Sequence, residues 1–109
     1  MPILYRALIA AFLTFQIQSA FATETVVPLS GKYALLNQPK GTAKAGVILF
    51  TGGNGFVGIK ENGFVKAKKN WIVWTRAEYA KSGIASLLVD GGTDVFDAIS
   101  LLKNKGINQ

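Results

Sequence analysis

The glycines of the segment FTGGNGFVGI, residues 50–59, are the residues whose types and spacing most clearly suggest chemistry. They fit both G-x-G-x-x-G and T-G-x-x-G-x-x-G, and they follow a continuous apolar run, AGVIL. Both patterns are typical of a loop whose backbone N–H groups cradle the pyrophosphate of a dinucleotide. On this interpretation the cofactor-binding residues would be Gly52, Gly55, Gly58 and Asp90.

The context of these glycines departs from a dinucleotide fingerprint. In that fingerprint a helix opens directly at the last glycine, and a carboxylate lies about 20 residues further on. Here Asn62 and Gly63 predict a turn soon after Gly58, and Asp90 lies well beyond the expected spacing. The eight residues TGGNGFVG resemble extended short-chain dehydrogenases, but the Tyr-x-x-x-Lys motif of that family does not occur in the 109 residues. An oxidoreductase module of this type is therefore the alternative hypothesis.

Two residue types are missing altogether, and their absence restricts the chemistry. The sequence has no cysteine and no histidine. This excludes a thiolate nucleophile, disulfide bonds, the usual zinc sites and a Ser-His-Asp triad built from this chain alone. None of the six carboxylates forms a spaced pair that would mark an acid/base couple. We therefore predict no metal site, no bound cofactor and no complete set of catalytic residues.

Four apolar or β-branched runs predict strands. They are TVVPLSG, then Tyr33 to Leu36, then GVILF and finally IASLLV. GVILF and IASLLV are apolar at nearly every position, which is typical of strands buried on both faces of a parallel sheet. With two helices following, the order predicts an α/β fold with an incomplete, mostly parallel sheet of about four strands. GVILF and IASLLV should form a parallel crossover pair.

Two segments predict helices. The first runs from an N-cap at Asn70 to a terminal glycine at Gly83, and its apolar positions are Val73, Ala77, Ala80 and Ile84. Thr93 is the predicted cap of the second helix, which ends at Gly106. The apolar stripe of this second helix comprises Val95, Ile99 and Leu102.

The segment GVILFTGGNG, followed by NWIVWTRAEYAKSGIASLLVDGGTD, resembles the N-terminal part of an exported bacterial α/β-hydrolase. In that family the loop after this strand supplies a backbone N–H group of the oxyanion hole. The resemblance makes Gly52, Gly53 and Asn54 the candidate donors, and it implies a small ester-like or acyl substrate.

The sequence departs from the hydrolase pattern at two places. Thr51 to Asn54 read Thr-Gly-Gly-Asn where many esterases have His-Gly-Gly-Gly, and no G-x-S-x-G nucleophile elbow is present. In the family the elbow follows the next strand. We therefore expect a truncated product or a fragment of a longer protein, without a complete catalytic site.

The N-terminus predicts export. Residues 1–22 contain one early cation, Arg6, then an apolar stretch and the small-x-small end Ala20-Phe21-Ala22. The apolar stretch is short for a membrane span. We expect cleavage near Ala22, a partial hydrolase-like domain over residues 23–109, a periplasmic or secreted location and no permanent membrane anchor.

The net charge of +6 does not indicate nucleic acid as a partner. The one dense basic run, Lys66 to Lys69, lacks interleaved aromatic residues, so it is interpreted as a solvated face. A further alternative is a non-catalytic interaction protein that uses an exposed sheet edge. Because two helices cover a four-stranded sheet poorly, we also expect self-association, aggregation or partial loss of fixed packing.

Overall fold

The computed structural model describes residues 22–52 and 55–108. All of the predicted export signal except Ala22 lies outside the described residues, and so do two oxyanion-loop candidates, Gly53 and Asn54. In the part of the chain that is described, no helix is long and apolar enough to cross a membrane.

The described chain forms four strands and two α-helices. The strands are β1 (Thr23–Leu29), β2 (Lys32–Gln38), β3 (Ala45–Leu49) and β4 (Ile84–Leu88). Helix α1 (Trp71–Trp74) and a 3₁₀ helix (Glu78–Ser82) lie between β3 and β4, and helix α2 (Val95–Asn104) follows β4.

The four strands form one mixed sheet in the order β1-β2-β4-β3. Strand β1 pairs with β2 and β2 pairs with β4, both antiparallel, whereas β3 and β4 are parallel. The predicted parallel pair of GVILF and IASLLV is therefore confirmed, with Leu49 opposite Leu88. The prediction of a mostly parallel sheet is wrong, because two of the three pairings are antiparallel.

A two-residue turn between β1 and β2 explains this difference. Ser30 has a φ of 52° and Gly31 has a φ of 72°. Positive φ at both central residues is the mark of a type I′ turn, whose twist suits a tight antiparallel hairpin. The Ser-Gly pair in the sequence predicted a turn, but its length of two residues also dictates that β2 runs back along β1.

Both faces of the central strands are covered. On one face, Ala98 and Leu102 of α2 pack in a cluster with Leu36 and Leu87 of the sheet. On the other face, α1 and the non-helical segment 57–65 pack against Leu35 and Leu88. The side chains of β4 are almost all fully buried, whereas those of β3 are mostly half-buried. The loop of residues 57–65 therefore covers much of the sheet face that the two helices leave uncovered.

The first predicted helix is interrupted. Asn70 does act as N-cap, accepting a hydrogen bond from the Ile72 N–H, and Gly83 is left-handed at the end of the segment. Between them, the guanidinium of Arg76 donates to the Val73 carbonyl at 2.6 Å. That carbonyl would have accepted the next helical N–H, so side-chain competition ends α1 after one turn.

The second predicted helix forms, but its cap and its buried face are shifted. Asp94, rather than Thr93, accepts hydrogen bonds from the Phe96 and Asp97 N–H groups. Leu102 is buried as predicted, together with Ala98, whereas Val95 and Ile99 remain 42% and 38% exposed. The predicted apolar stripe is therefore only partly turned toward the core.

The hairpin turn gives a first testable prediction. Replacement of Gly31 by alanine should lower the free energy of unfolding by about 1 kcal/mol, because a Cβ is strained at its positive φ although nothing crowds it. Gly52→Ala is the matched control, since its Cβ also meets open space but its φ is not positive. Urea unfolding of both variants measures the difference, and an equal loss in the two would contradict the turn assignment.

Candidate functional site

The carboxylate of Asp90 holds the end of the glycine-rich loop. Its Oδ1 accepts the Val57 N–H at 2.7 Å, and its Oδ2 accepts the Gly58 and Ile59 N–H groups, each at 3.1 Å. The N–H of Gly91 also donates to Oδ1, at 3.0 Å. Four backbone donors thus converge on one buried side chain.

Strand β4 and the loop each place one half of this contact. Asp90 comes just after β4, where the chain turns at Gly91 and Gly92. Val57 and Ile59 are pinned from the other side, because both side chains are buried in the core beneath the loop. The backbone of Ile59 is further fixed by an antiparallel bridge to Val65, and the Val57 carbonyl accepts the Ala67 N–H at 2.9 Å.

Gly58 lies at the centre of the contact and leaves no room for a side chain. Its φ is +75°, and a Cβ built on it would lie 2.7 Å from the Cβ of Lys66 and 3.1 Å from the Phe56 ring. The third glycine of the motif is thus required by local packing and backbone conformation, whatever ligand the loop binds.

The hydrogen bonds also change the acidity of Asp90. Burial by itself raises the pKa of this carboxyl group. The hydrogen bonds from the Val57, Ile59, Gly58 and Gly91 N–H groups favour the ionised form and together outweigh burial, so the pKa lies below its ordinary value. Asp90 is therefore a fixed negative charge at neutral pH.

The remaining predicted site residues of the described chain gather at the same end of the sheet. Because β3 and β4 are parallel, the residues that follow them leave the sheet side by side. A Cβ on Gly55 would lie 3.2 Å from the Gly91 Cα, so the two turns are in contact. Gly52 is exposed, and nothing lies within 4 Å of the position of its Cβ.

A small cavity opens beside these turns. It has a volume of about 290 Å³ and is lined by Lys32, Phe56, Asp90 and Gly91. Lys32 enters because β2 starts where β4 ends, and a Cβ at Gly92 would lie 3.7 Å from its Nζ. No local sequence pattern points to Lys32, since only the antiparallel pairing of β2 with β4 brings it here.

The hydroxyl group of Thr51 is an unpaired polar atom at this end of the sheet. Thr51 is 9% exposed, and among the described residues its Oγ1 has no hydrogen-bond partner. Buried hydroxyl groups are normally hydrogen-bonded, so an unpaired one close to a loop is a group that a ligand could satisfy.

A second polar cluster, which no sequence pattern predicted, holds two elements of the fold together. The Nε of Arg76 donates to the carboxylate of Glu24 in β1 at 2.9 Å. The amide of the buried Asn37 donates to the same carboxylate at 2.8 Å. This cluster ties α1 to the β1–β2 hairpin. In the described part of the chain, no three histidine, cysteine or acidic side chains come together as a metal site would need.

The loop geometry weighs against a pyrophosphate. The N–H groups of Val57, Gly58 and Ile59 point at an anion, as they would in a phosphate cradle, but that anion is the carboxylate of Asp90. A phosphate would have to displace a negative charge of the protein itself. The next helix, moreover, begins only at Trp71.

The chain matches no protein-family model, no curated protein and no solved structure. The resemblance to α/β-hydrolases and the alternative resemblance to dehydrogenases both stay predictions.

The contact of Asp90 with the loop gives a second testable prediction. Asp90→Asn should lower the free energy of unfolding by about 1–3 kcal/mol, because an amide nitrogen replaces an acceptor of buried N–H groups. Glu61→Gln, an exposed carboxylate on the same loop, is the matched control and should change little. Equal stability of the two variants in urea unfolding would contradict the assigned role.

The pH dependence follows from the direction of the shift. Because the pKa of Asp90 is lower in the folded than in the unfolded chain, its contribution is present above the unfolded pKa, about 4, and is lost as pH falls toward the folded pKa. Urea unfolding should be measured from about pH 6 to about pH 2. Asp90→Asn should lose less stability on acidification than the unaltered chain. An identical pH profile would contradict the lowered pKa.

Proposed function

We propose that this chain is the acyl-binding part of an exported ester hydrolase, with the loop after β3 presenting a backbone N–H group to the carbonyl oxygen of a short acyl ligand. The observation that carries the proposal is the anchored glycine loop, with open space at Gly52, next to a cavity that contains a lysine. Ligands of sheets with parallel strands commonly bind beyond the carboxyl ends of those strands. The loop and the cavity both lie there.

Asp90 makes the loop suitable for such a role. A hydrogen-bond donor stabilises a developing oxyanion best when it is already in place before the reaction. Strand β3 holds the start of the loop, and the Asp90 carboxylate holds its end at residues 57–59. Gly52, which is exposed, lies between these two anchors, and its N–H group is the donor that we assign to the ligand.

The lysine and the phenylalanine of the cavity indicate the chemical class of the ligand. Lys32 supplies a positive charge, and Phe56, which is 54% exposed, supplies an apolar wall. A short carboxylate, the product of ester hydrolysis, has both a negative end and an apolar end. Asp90 also lines this cavity, but four backbone N–H groups bind its carboxylate, and it forms no ion pair with Lys32.

The proposal does not make this chain a complete catalyst. Its 109 residues contain no histidine, and no serine lies in a G-x-S-x-G elbow. Ser86, the buried serine of β4, donates its hydroxyl to the Arg76 carbonyl at 2.7 Å and is held in the sheet. The general base and the nucleophile would have to come from residues outside this sequence.

Activity gives a third testable prediction. The purified chain should hydrolyse p-nitrophenyl butyrate no faster than buffer does, because the usual base and the nucleophile elbow are both missing. Release of p-nitrophenol, followed by absorbance, measures this. Turnover that disappears on Ser82→Ala would contradict the prediction and would locate a nucleophile in this chain.

Binding tests the proposal itself and gives a fourth prediction. Titration of the ¹⁵N-labelled chain with sodium butyrate should shift the Gly52 amide signal in a saturable way. Gly52→Pro, which lacks the N–H, and Lys32→Gln, which lacks the charge, should each weaken butyrate binding at least about fivefold, the scale of losing one modest polar contact. Lys81→Gln is the control, because Lys81 pairs with Glu78 on the 3₁₀ helix.

A second probe separates the hydrolase from the dinucleotide hypothesis. Inorganic pyrophosphate should leave the Val57, Gly58 and Ile59 amide signals unchanged, since Asp90 occupies these donors. Saturable shifts of these three signals with pyrophosphate, without any response of Gly52 to butyrate, would contradict the proposal and favour the dehydrogenase-type alternative.

A further inference from the structure

The outer edge of β3 is an unprotected sheet edge. Within residues 22–52 and 55–108, β3 pairs only with β4. Its sequence, AGVIL, contains no charge and no proline, the features that normally discourage pairing at an edge. The opposite edge of the sheet is β1, which contains both Glu24 and Pro28.

The hydrogen-bonding groups that face outward can be assigned from the pairing with β4. The Leu49 carbonyl accepts the Val89 N–H at 3.2 Å, so the backbone groups of Leu49 face β4. Orientation alternates along a strand, and the groups of Val47 therefore also face β4. The N–H and C=O groups of Gly46 and Ile48 face the open edge.

An apolar groove runs beside this edge. A cavity of about 230 Å³ is lined by Gly46 and Ile48 of β3, by Ile99, Leu102 and Lys103 of α2, and by Ile107 and Asn108. Val95 lies one helical turn before Ile99, and both remain partly exposed. The part of the α2 apolar stripe that the core leaves uncovered thus continues the groove.

We propose that a second copy of this chain adds to the open edge, with the two β3 strands antiparallel about a two-fold axis at Val47. In this register Gly46 of each copy lies opposite Ile48 of the other. These residues carry the outward-facing backbone groups, so each Gly46–Ile48 pair exchanges two N–H···O=C bonds. The two symmetry-related pairs give about four hydrogen bonds in all. The result is one continuous sheet through two copies.

The side chains are self-complementary in this register. Gly46 has no side chain, and the cavity beside it has room for Ile48 of the other copy. Lys44 lies opposite Phe50, which is 47% exposed, rather than opposite a second lysine. An interface whose two halves are the same patch must complement itself in this way. A partner of another kind would meet the same edge without this matched Gly46–Ile48 exchange.

A single introduced cysteine tests the register. The chain has no cysteine, so Val47→Cys carries one thiol only. Residues opposite each other in a non-hydrogen-bonded antiparallel pair have Cα atoms about 4.5 Å apart, within the range of a disulfide. Mild oxidation of this variant should give a covalent dimer at least about tenfold faster than oxidation of Thr25→Cys, placed at an exposed position of β1. Equal rates would overturn the proposal.

Sedimentation equilibrium of the unaltered chain is the second measurement. It should show a reversible monomer–dimer equilibrium, and Ile99→Lys should weaken dimerisation at least about tenfold by placing a charge in the groove. Trp71→Lys is the matched control, because Trp71 is 64% exposed on the other face of the sheet. A chain that stays monomeric at about 100 µM, where a dimer with a micromolar Kd would form, or that forms open-ended aggregates, would overturn the proposal. So would Ile99→Lys and Trp71→Lys weakening association equally.

Discussion

A buried carboxylate and the backbone N–H groups around it fix the geometry of this protein beyond the ends of β3 and β4. Asp90 satisfies the N–H groups of Val57, Gly58 and Ile59, which would otherwise be buried without partners. Burying an unpaired charge or an unpaired N–H is costly, so each half of the contact stabilises the other. The segment 57–65 can then lie flat on the sheet and cover a face that no long helix covers.

Other features follow from this contact. The loop can cover Leu35 and Leu88 because its buried N–H groups have a hydrogen-bond acceptor in Asp90. Helix α1 extends the same layer through Val73. The cluster of Glu24, Asn37 and Arg76 ties that layer to the hairpin on the far side of the sheet. Between the last residues of β3 and the anchored residues 57–59, the turn at Gly52 is left facing solvent. The contact with Asp90 therefore occupies the three N–H groups that a phosphate would need.

Much of this architecture could be predicted from local sequence signals. Short sequence patterns predict strands β3 and β4 and their parallel pairing. They also predict the N-cap at Asn70 and the glycines that end the two helical segments, Gly83 and Gly106. Whether β2 runs parallel or antiparallel to β1 depends on the backbone conformation of Ser30 and Gly31, which the residue types alone do not determine. The break after α1 depended on Arg76 donating to a nearby carbonyl, a competition that apolar periodicity does not contain.

The candidate site was only partly predictable for a related reason. The glycine spacing is typical of a loop whose backbone N–H groups bind a pyrophosphate, and on that interpretation Asp90 would be a cofactor-binding residue. Its role as the anion that these N–H groups bind could not be inferred, because it depends on contacts between residues more than 30 positions apart. Lys32 was missed because its place beside the cavity follows from the antiparallel β2–β4 pairing.

An NMR pH titration of the folded chain tests most directly whether the Asp90 carboxylate holds the loop. The amide signals of Val57, Gly58 and Ile59 and the carboxyl carbon of Asp90 should titrate together, with one shared midpoint below the ordinary pKa of an aspartate. That result would show one carboxylate held by all three N–H groups. Amide signals that do not respond to the ionisation of Asp90, or a midpoint at or above the ordinary aspartate value, would contradict it.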